Sequence, residues 1–197
     1  MSRMVIALVL VLGFGTAAYP QGMGAASQSG DPQSGDPQVN AIKTQLGLAK
    51  NYVTRSAEKL SEELYGFQPT PEVRTAGKIL AHLADANYML CAMSKGEKSP
   101  VEMQQIEKSK TTKADIQKAL GDSFAYCEQA LAALTPATAA DKVEMFGMPQ
   151  TRLSVVAFVA AHNFEHYGNL VTYMRLKNIV PPSSEPRKPA DTQGSGM

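Results

Sequence analysis

The chain has 197 residues, with 19 Lys plus Arg against 18 Asp plus Glu and a formal charge of +1. That length is a prior for one domain with tails, and the charge balance argues against a nucleic-acid binder, which carries a basic excess. Two cysteines, Cys91 and Cys127, exclude a zinc finger or a multi-disulfide framework.

Residues 1–26 read as a secretory signal peptide. Arg3 is followed by the apolar run Met4 to Leu12 and by the small residues Gly13, Gly15, Thr16, Ala17 and Ala18, with cleavage after Ala18 or Ala26. The run is shorter than the ~20 residues that span a bilayer. An exported protein, periplasmic or extracellular, with no stable membrane anchor is therefore expected. Residues 27–38 contain the pentapeptide SGDPQ twice and read as a flexible linker. Residues 183–197 are Pro-rich, lack apolar periodicity and are expected to be disordered. The folding domain is then 39–182.

The first predicted helix runs from Val39 to Tyr65, carrying Ile42, Leu46, Val53, Leu60 and Leu64, and is stopped by Gly66, Pro69 and Pro71. The second starts after Thr75, a good N-cap, and ends at Gly96. Its stripe Ile79, His82, Ala86 and Met89 steps by 3, 4 and 3. A polar, Lys-rich stretch of roughly 17 residues then suggests a crossover rather than a tight hairpin. The third helix runs from Thr112, with Asp115 completing a variant capping box, to Leu134. The fourth follows Gly147 and Pro149. Its inner face is Val155, Val159, His162, His166, Leu170 and Tyr173, and Pro181 and Pro182 end it. Apart from a short extended piece near Val143–Phe146 there is no strand pattern. The fold class is all-α, a four-helix bundle.

His82, His162 and His166 are the chain's three histidines, and all lie on inward stripes. His162 and His166 are about 40° and about 6 Å apart on one helix, so their rings can converge on one cation. Imidazole suits zinc, nickel, copper or iron. Three ligands with an open position describe a catalytic metal site rather than a closed structural one. The competing interpretation is three satisfied core histidines, although burying imidazoles without partners is costly. His162-Asn-Phe-Glu165-His166 also matches the inverted zinc-peptidase motif, but that class needs a further ligand, and downstream only Glu185 and Asp191 offer carboxylates. Cys91 lies half a turn round the helix from His82 and points elsewhere. Cys91 and Cys127 sit on neighbouring helices, either paired or as two buried thiols.

Arg74-Thr-Ala-Gly leading into Leu80-Ala-His82-Leu-Ala-Asp-Ala-Asn, then His162-Asn-Phe-Glu-His166-Tyr-Gly-Asn and Tyr173-Met-Arg175-Leu-Lys-Asn-Ile-Val-Pro-Pro, resembles the DinB-like family of four-helix metalloproteins. The resemblance covers the whole predicted domain. It implies a bundle holding one divalent transition metal (zinc, nickel or similar) on His82, His162 and His166. Characterised relatives include transferases and isomerases that use small thiols, and many others are described as metal-dependent hydrolases. This chain carries Asn169 where relatives often have Gln, and Asn178 where Gly is common.

The expected function is that of an exported metal-dependent hydrolase or transferase acting on a small-molecule substrate. The alternative is a non-catalytic metal-binding or interaction module. Glu165 is the nearest sequence candidate for a general base, with a supporting or surface role as the other option. Asn163, Tyr167 and Asn169 flank the ligands. Arg74, Arg152 and Arg175 are candidates either for anion binding or for caps and surface ion pairs. No substrate-binding residues are assigned, and homodimerisation is left open.

Overall fold

The computed structural model describes residues 36–186. The expected signal peptide, most of the linker and residues 187–197 of the tail lie outside the described residues. Four long helices form the domain: α1 (Pro37–Lys59), α2 (Ala76–Lys95), α4 (Lys113–Ala133) and α5 (Arg152–Leu176), with a short α3 (Gln105–Ser109) in the crossover. A two-stranded antiparallel hairpin, β1 (Lys142–Met145) and β2 (Met148–Thr151), precedes α5. No helix of the described residues is long and apolar enough to cross a membrane.

Helix α1 begins two residues before the expected Val39, inside the second SGDPQ copy. Asp36 accepts from the backbone N–H of Gln38 at 2.7 Å and of Val39 at 3.3 Å, and Pro37 occupies the first turn. Asp-Pro is thus a helix start here, because proline lacks an N–H that the first turn would leave unbonded anyway. The helix also ends earlier than Tyr65. Leu60 leaves it in extended backbone and is fully buried, and a separate 3-10 turn follows at Glu63–Gly66. The Tyr65 hydroxyl returns to donate to the Ala57 carbonyl at 2.9 Å, occupying an acceptor near the helix end.

Both ends of α2 are as expected. Thr75 accepts from Lys78 N–H at 3.2 Å, and Gly96 closes the helix at φ 73°. Buried residues lie on nearly every face of α2, because α4, α5 and α3 all pack against it. Its alanines permit that close packing. α1 packs against α4 and α5, so the four long helices form a ring with α1 opposite α2. Leu80, Leu83, Leu90, Leu120, Phe124, Leu170 and Met174 are fully buried in the shared core, each large apolar side chain contributing about 1.5–3 kcal/mol. Cys91 of α2 and Cys127 of α4 form a disulfide with Cα atoms 5.3 Å apart, which settles the question left open by the sequence.

The crossover contains α3, which has no sequence signature of its own. The hairpin corrects the expectation of a single extended piece. Pro149, which the sequence places just ahead of the fourth helix, lies in β2 and pairs with Glu144 one position beyond the turn-flanking pair Met145 and Met148. In a two-residue hairpin that second pair is not hydrogen-bonded across, so a missing N–H costs the ladder nothing. Phe146 and Gly147 make the turn at φ 53° and 77°.

Helix α5 closes with Asn178 at φ 57°, and Ile179 N–H reaches back to the Met174 carbonyl at 2.9 Å. Asparagine serves the left-handed cap in place of glycine. The chain beyond Pro182 is structured as far as Glu185, against the expectation of a tail disordered from residue 183. Pro182–Ser184 form a 3-10 turn, Tyr167 and Ser183 exchange hydrogen bonds, and Glu185 pairs with Arg55 and Lys59.

Candidate metal centre

Helix α2 presents His82, and α5 presents His162 and His166. The 4-residue step on α5 puts its two rings on one side, with centroids 4.6 Å apart. His82 meets them from across the α2–α5 interface, at 5.2 Å from His162 and 4.9 Å from His166. One ring nitrogen from each of the three lies within 4.8 Å of the other two. The structure therefore brings together the whole ligand set proposed from the sequence.

Burial is the first cause that pushes all three imidazoles below their ordinary range. The next cause differs from ring to ring: Arg74 for His82, His166 for His162, and His82 for His166. Glu165 opposes the shift at every ring, and Glu107 opposes it at His82 and His166. Each shift favours the neutral ring, the form in which imidazole binds a metal. His162 Nδ1 is buried and has no hydrogen-bond partner in the protein. Three converging neutral nitrogens, one of them orphaned, fit a divalent transition ion.

Glu165 is exposed on the outer flank of α5, within electrostatic reach of all three rings. Asn169 Nδ2 lies 3.2 Å from His166 Nδ1. Asn163 is not at the site surface. It is fully buried and donates to Asn87 Oδ1 at 2.7 Å and to the Val159 carbonyl at 2.9 Å, linking α5 to α2. Tyr167 stacks on Tyr52 of α1 at 5.0 Å, so it packs the bundle.

Two features were not anticipated. Glu107 of α3 reaches the centre, with Oε2 3.6 Å from His82 Nδ1 and Oε1 accepting from Arg74 Nε at 2.9 Å. No local spacing could have announced it, because the crossover delivers it. Secondly, a cavity of about 760 Å³ opens beside His166, lined by Arg74, Lys78, Glu107, His166, Asn169 and Tyr173 among others. Of the three arginines, Arg74 is therefore at the site. Arg152 faces Asp141 at 3.5 Å, and Arg175 donates to Ser184 at 2.9 Å.

The family model of the DinB superfamily matches residues 45–170. The uncharacterized protein YjoA of Bacillus subtilis is 25% identical over 145 residues, which is 70% of this chain and 90% of that protein. Its crystal structure superposes with a TM-score of 0.59 at 20% identity, covering 76% of this chain and all of the other. A DinB-like protein from Bacillus cereus gives a TM-score of 0.64 at 14% identity, over 73% of this chain and 95% of that one. A mycothiol-dependent maleylpyruvate isomerase gives 0.58 at 16% identity, over 67% of this chain and 60% of that one. At these identities the structural likenesses speak for the fold alone.

Proposed function

The chain belongs to the DinB superfamily, and on that premise we propose that it is an exported divalent-metal enzyme, a hydrolase or transferase acting on a small polar molecule. The observation that carries the reading is the convergence of His82, His162 and His166 within 4.8 Å. These residues would hold zinc, nickel or a similar ion. Bound there, such an ion supplies Lewis-acid polarisation of a substrate oxygen and activation of water near neutral pH.

The chain's own residues supply the rest. The cavity beside His166 is large enough for a small molecule, and its polar lining of Arg74, Lys78, Glu107 and Asn169 suits a substrate with several hydrogen-bonding groups. Glu165 is exposed on α5 next to His166 and acts electrostatically on all three rings, which makes it the candidate general base. Export is supported by the leader-like residues 1–26 and by the Cys91–Cys127 disulfide, a bond typical of oxidising compartments. Small reduced thiols are scarce there, which favours hydrolysis over thiol transfer.

Elemental analysis of the purified protein tests the centre. About one equivalent of a divalent metal is expected, reduced to background in His162→Ala. Full retention in that variant would sink the ligand assignment. Screening the loaded protein against esters, amides and thiol–electrophile pairs then separates the reaction classes. Metal held with no turnover on any of them would point to a binding module. N-terminal sequencing of the protein recovered outside the cytoplasm tests export.

A further inference from the structure

Building on the metal centre just proposed, we infer that Glu107 is the positioning residue of His82, and that Asp85 holds Glu107 in place. Glu107 Oε2 is buried, has no hydrogen-bond partner, and lies 3.6 Å from His82 Nδ1. Its other oxygen is occupied by Arg74. A carboxylate facing Nδ1 favours the tautomer that keeps the proton there. That leaves Nε2 with its lone pair for a metal and fixes the ring's rotation.

The placement of Glu107 has its own support. Helix α3 is five residues long, with no side-chain cap, and it is entered through Gln104 in a left-handed conformation at φ 62°. So short a helix does not hold itself. Asp85 fastens it by accepting from the N–H of Ile106 at 3.0 Å and of Glu107 at 2.9 Å. Asp85 is buried on α2, three residues after His82. A three-residue step on a helix keeps side chains on one face. α2 therefore carries both the ligand and the anchor of the group that orients it, and Ile106 seals the join by burying its side chain.

The test uses the full chain in wild-type, Glu107→Ala, Glu107→Gln, Asp85→Asn and doubly substituted Asp85→Asn/Glu107→Ala forms. Zinc affinity is measured by competition with a chelator, and the His82 ring tautomer by long-range proton–nitrogen correlation in the metal-free protein. Glu107→Ala is expected to weaken zinc binding about 10- to 100-fold with helicity unchanged, and Glu107→Gln, which keeps an acceptor oxygen, to recover part of that loss. The His82 ring should be Nδ1-protonated in the wild type and mixed in Glu107→Ala. Asp85→Asn should weaken binding in the wild type but add less than about threefold in the Glu107→Ala background, because the two residues act in series. Zinc affinity within about threefold of wild type, together with an unchanged tautomer in Glu107→Ala, would overturn the positioning role. The metal centre would still stand if His162→Ala abolished binding. A wild-type chain that takes up no zinc or nickel would overturn the metal reading and this inference with it.

Discussion

The Tyr173 hydroxyl on α5 donates to the main-chain carbonyl of Arg74 at 2.8 Å, across 99 residues of sequence. Arg74 belongs to the loop between the 3-10 turn and α2, and its side chain meets Glu107 beside the histidines. One hydrogen bond thus ties the cavity's loop wall to the helix that carries two of the three proposed ligands.

Tyr173→Phe removes that bond and keeps the ring, which packs edge-on against Phe67 at 5.8 Å. The variant should lose about 0.5–1.5 kcal/mol of stability, read from the midpoint of urea unfolding, with metal content unchanged. A midpoint equal to that of the parent would show that the bond does not hold the loop.

Gly77 stands where α2 packs against Tyr65 of the 3-10 turn. A Cβ built there meets the Tyr65 carbonyl oxygen at 2.9 Å and the Tyr65 ring at 3.0 Å. Alanine in an ordinary helix position gains up to about 1 kcal/mol over glycine. Here the backbone contact reverses the sign, and Gly77→Ala should cost about 1–3 kcal/mol by overpacking. Thermal unfolding checks it, and a stabilised variant would refute the close approach.

The Cys91–Cys127 bond closes a loop of sequence separation 36. Loop-closure entropy puts its worth at about 3–4 kcal/mol, and the double alanine variant should lose about 2–4 kcal/mol in guanidinium unfolding. Denatured, unreduced protein should show no reactive thiol. Two thiols per chain under those conditions would contradict the pairing.

Acid should act on the centre in one direction. Burial holds His82, His162 and His166 below their ordinary pKa of 6.5. The folded state consequently binds fewer protons than the unfolded chain, and the metal-free protein should lose stability as pH falls below about 6.5 and through the folded values. Metal should be released over the same range, because protonation competes for the same nitrogens. Metal content measured after dialysis across pH 4 to 8 checks it, and full retention at pH 4 would argue against imidazole ligation.

Much of the fold was legible in the sequence because helix signals are local. Thr75 and Thr112 cap the helices they were expected to cap, and Gly96 and Asn178 terminate theirs in the left-handed conformation. Local pattern fell short where burial or pairing decided the backbone. Leu60 ends α1 because its side chain is buried outside the helix, and Pro149 is accommodated in a strand because its hairpin partner asks for no N–H. Asp36 and Pro37 belong to the SGDPQ repeat, yet Asp-Pro is itself a helix start signal. Ser183 and Glu185 are ordered by Tyr167, Arg55 and Lys59, all distant in sequence.

By itself the sequence determined the four long helices and the pairing of His162 with His166 on one face, since a 3.6-residue period makes both a matter of spacing alone. Only the tertiary structure decided that His82 closes on that pair, that Cys91 reaches Cys127, and that Glu107 arrives from the crossover to stand beside His82. Those contacts join segments tens of residues apart. They exist because the helices bury their apolar faces in one arrangement, and no local pattern encodes which distant side chains that arrangement brings together.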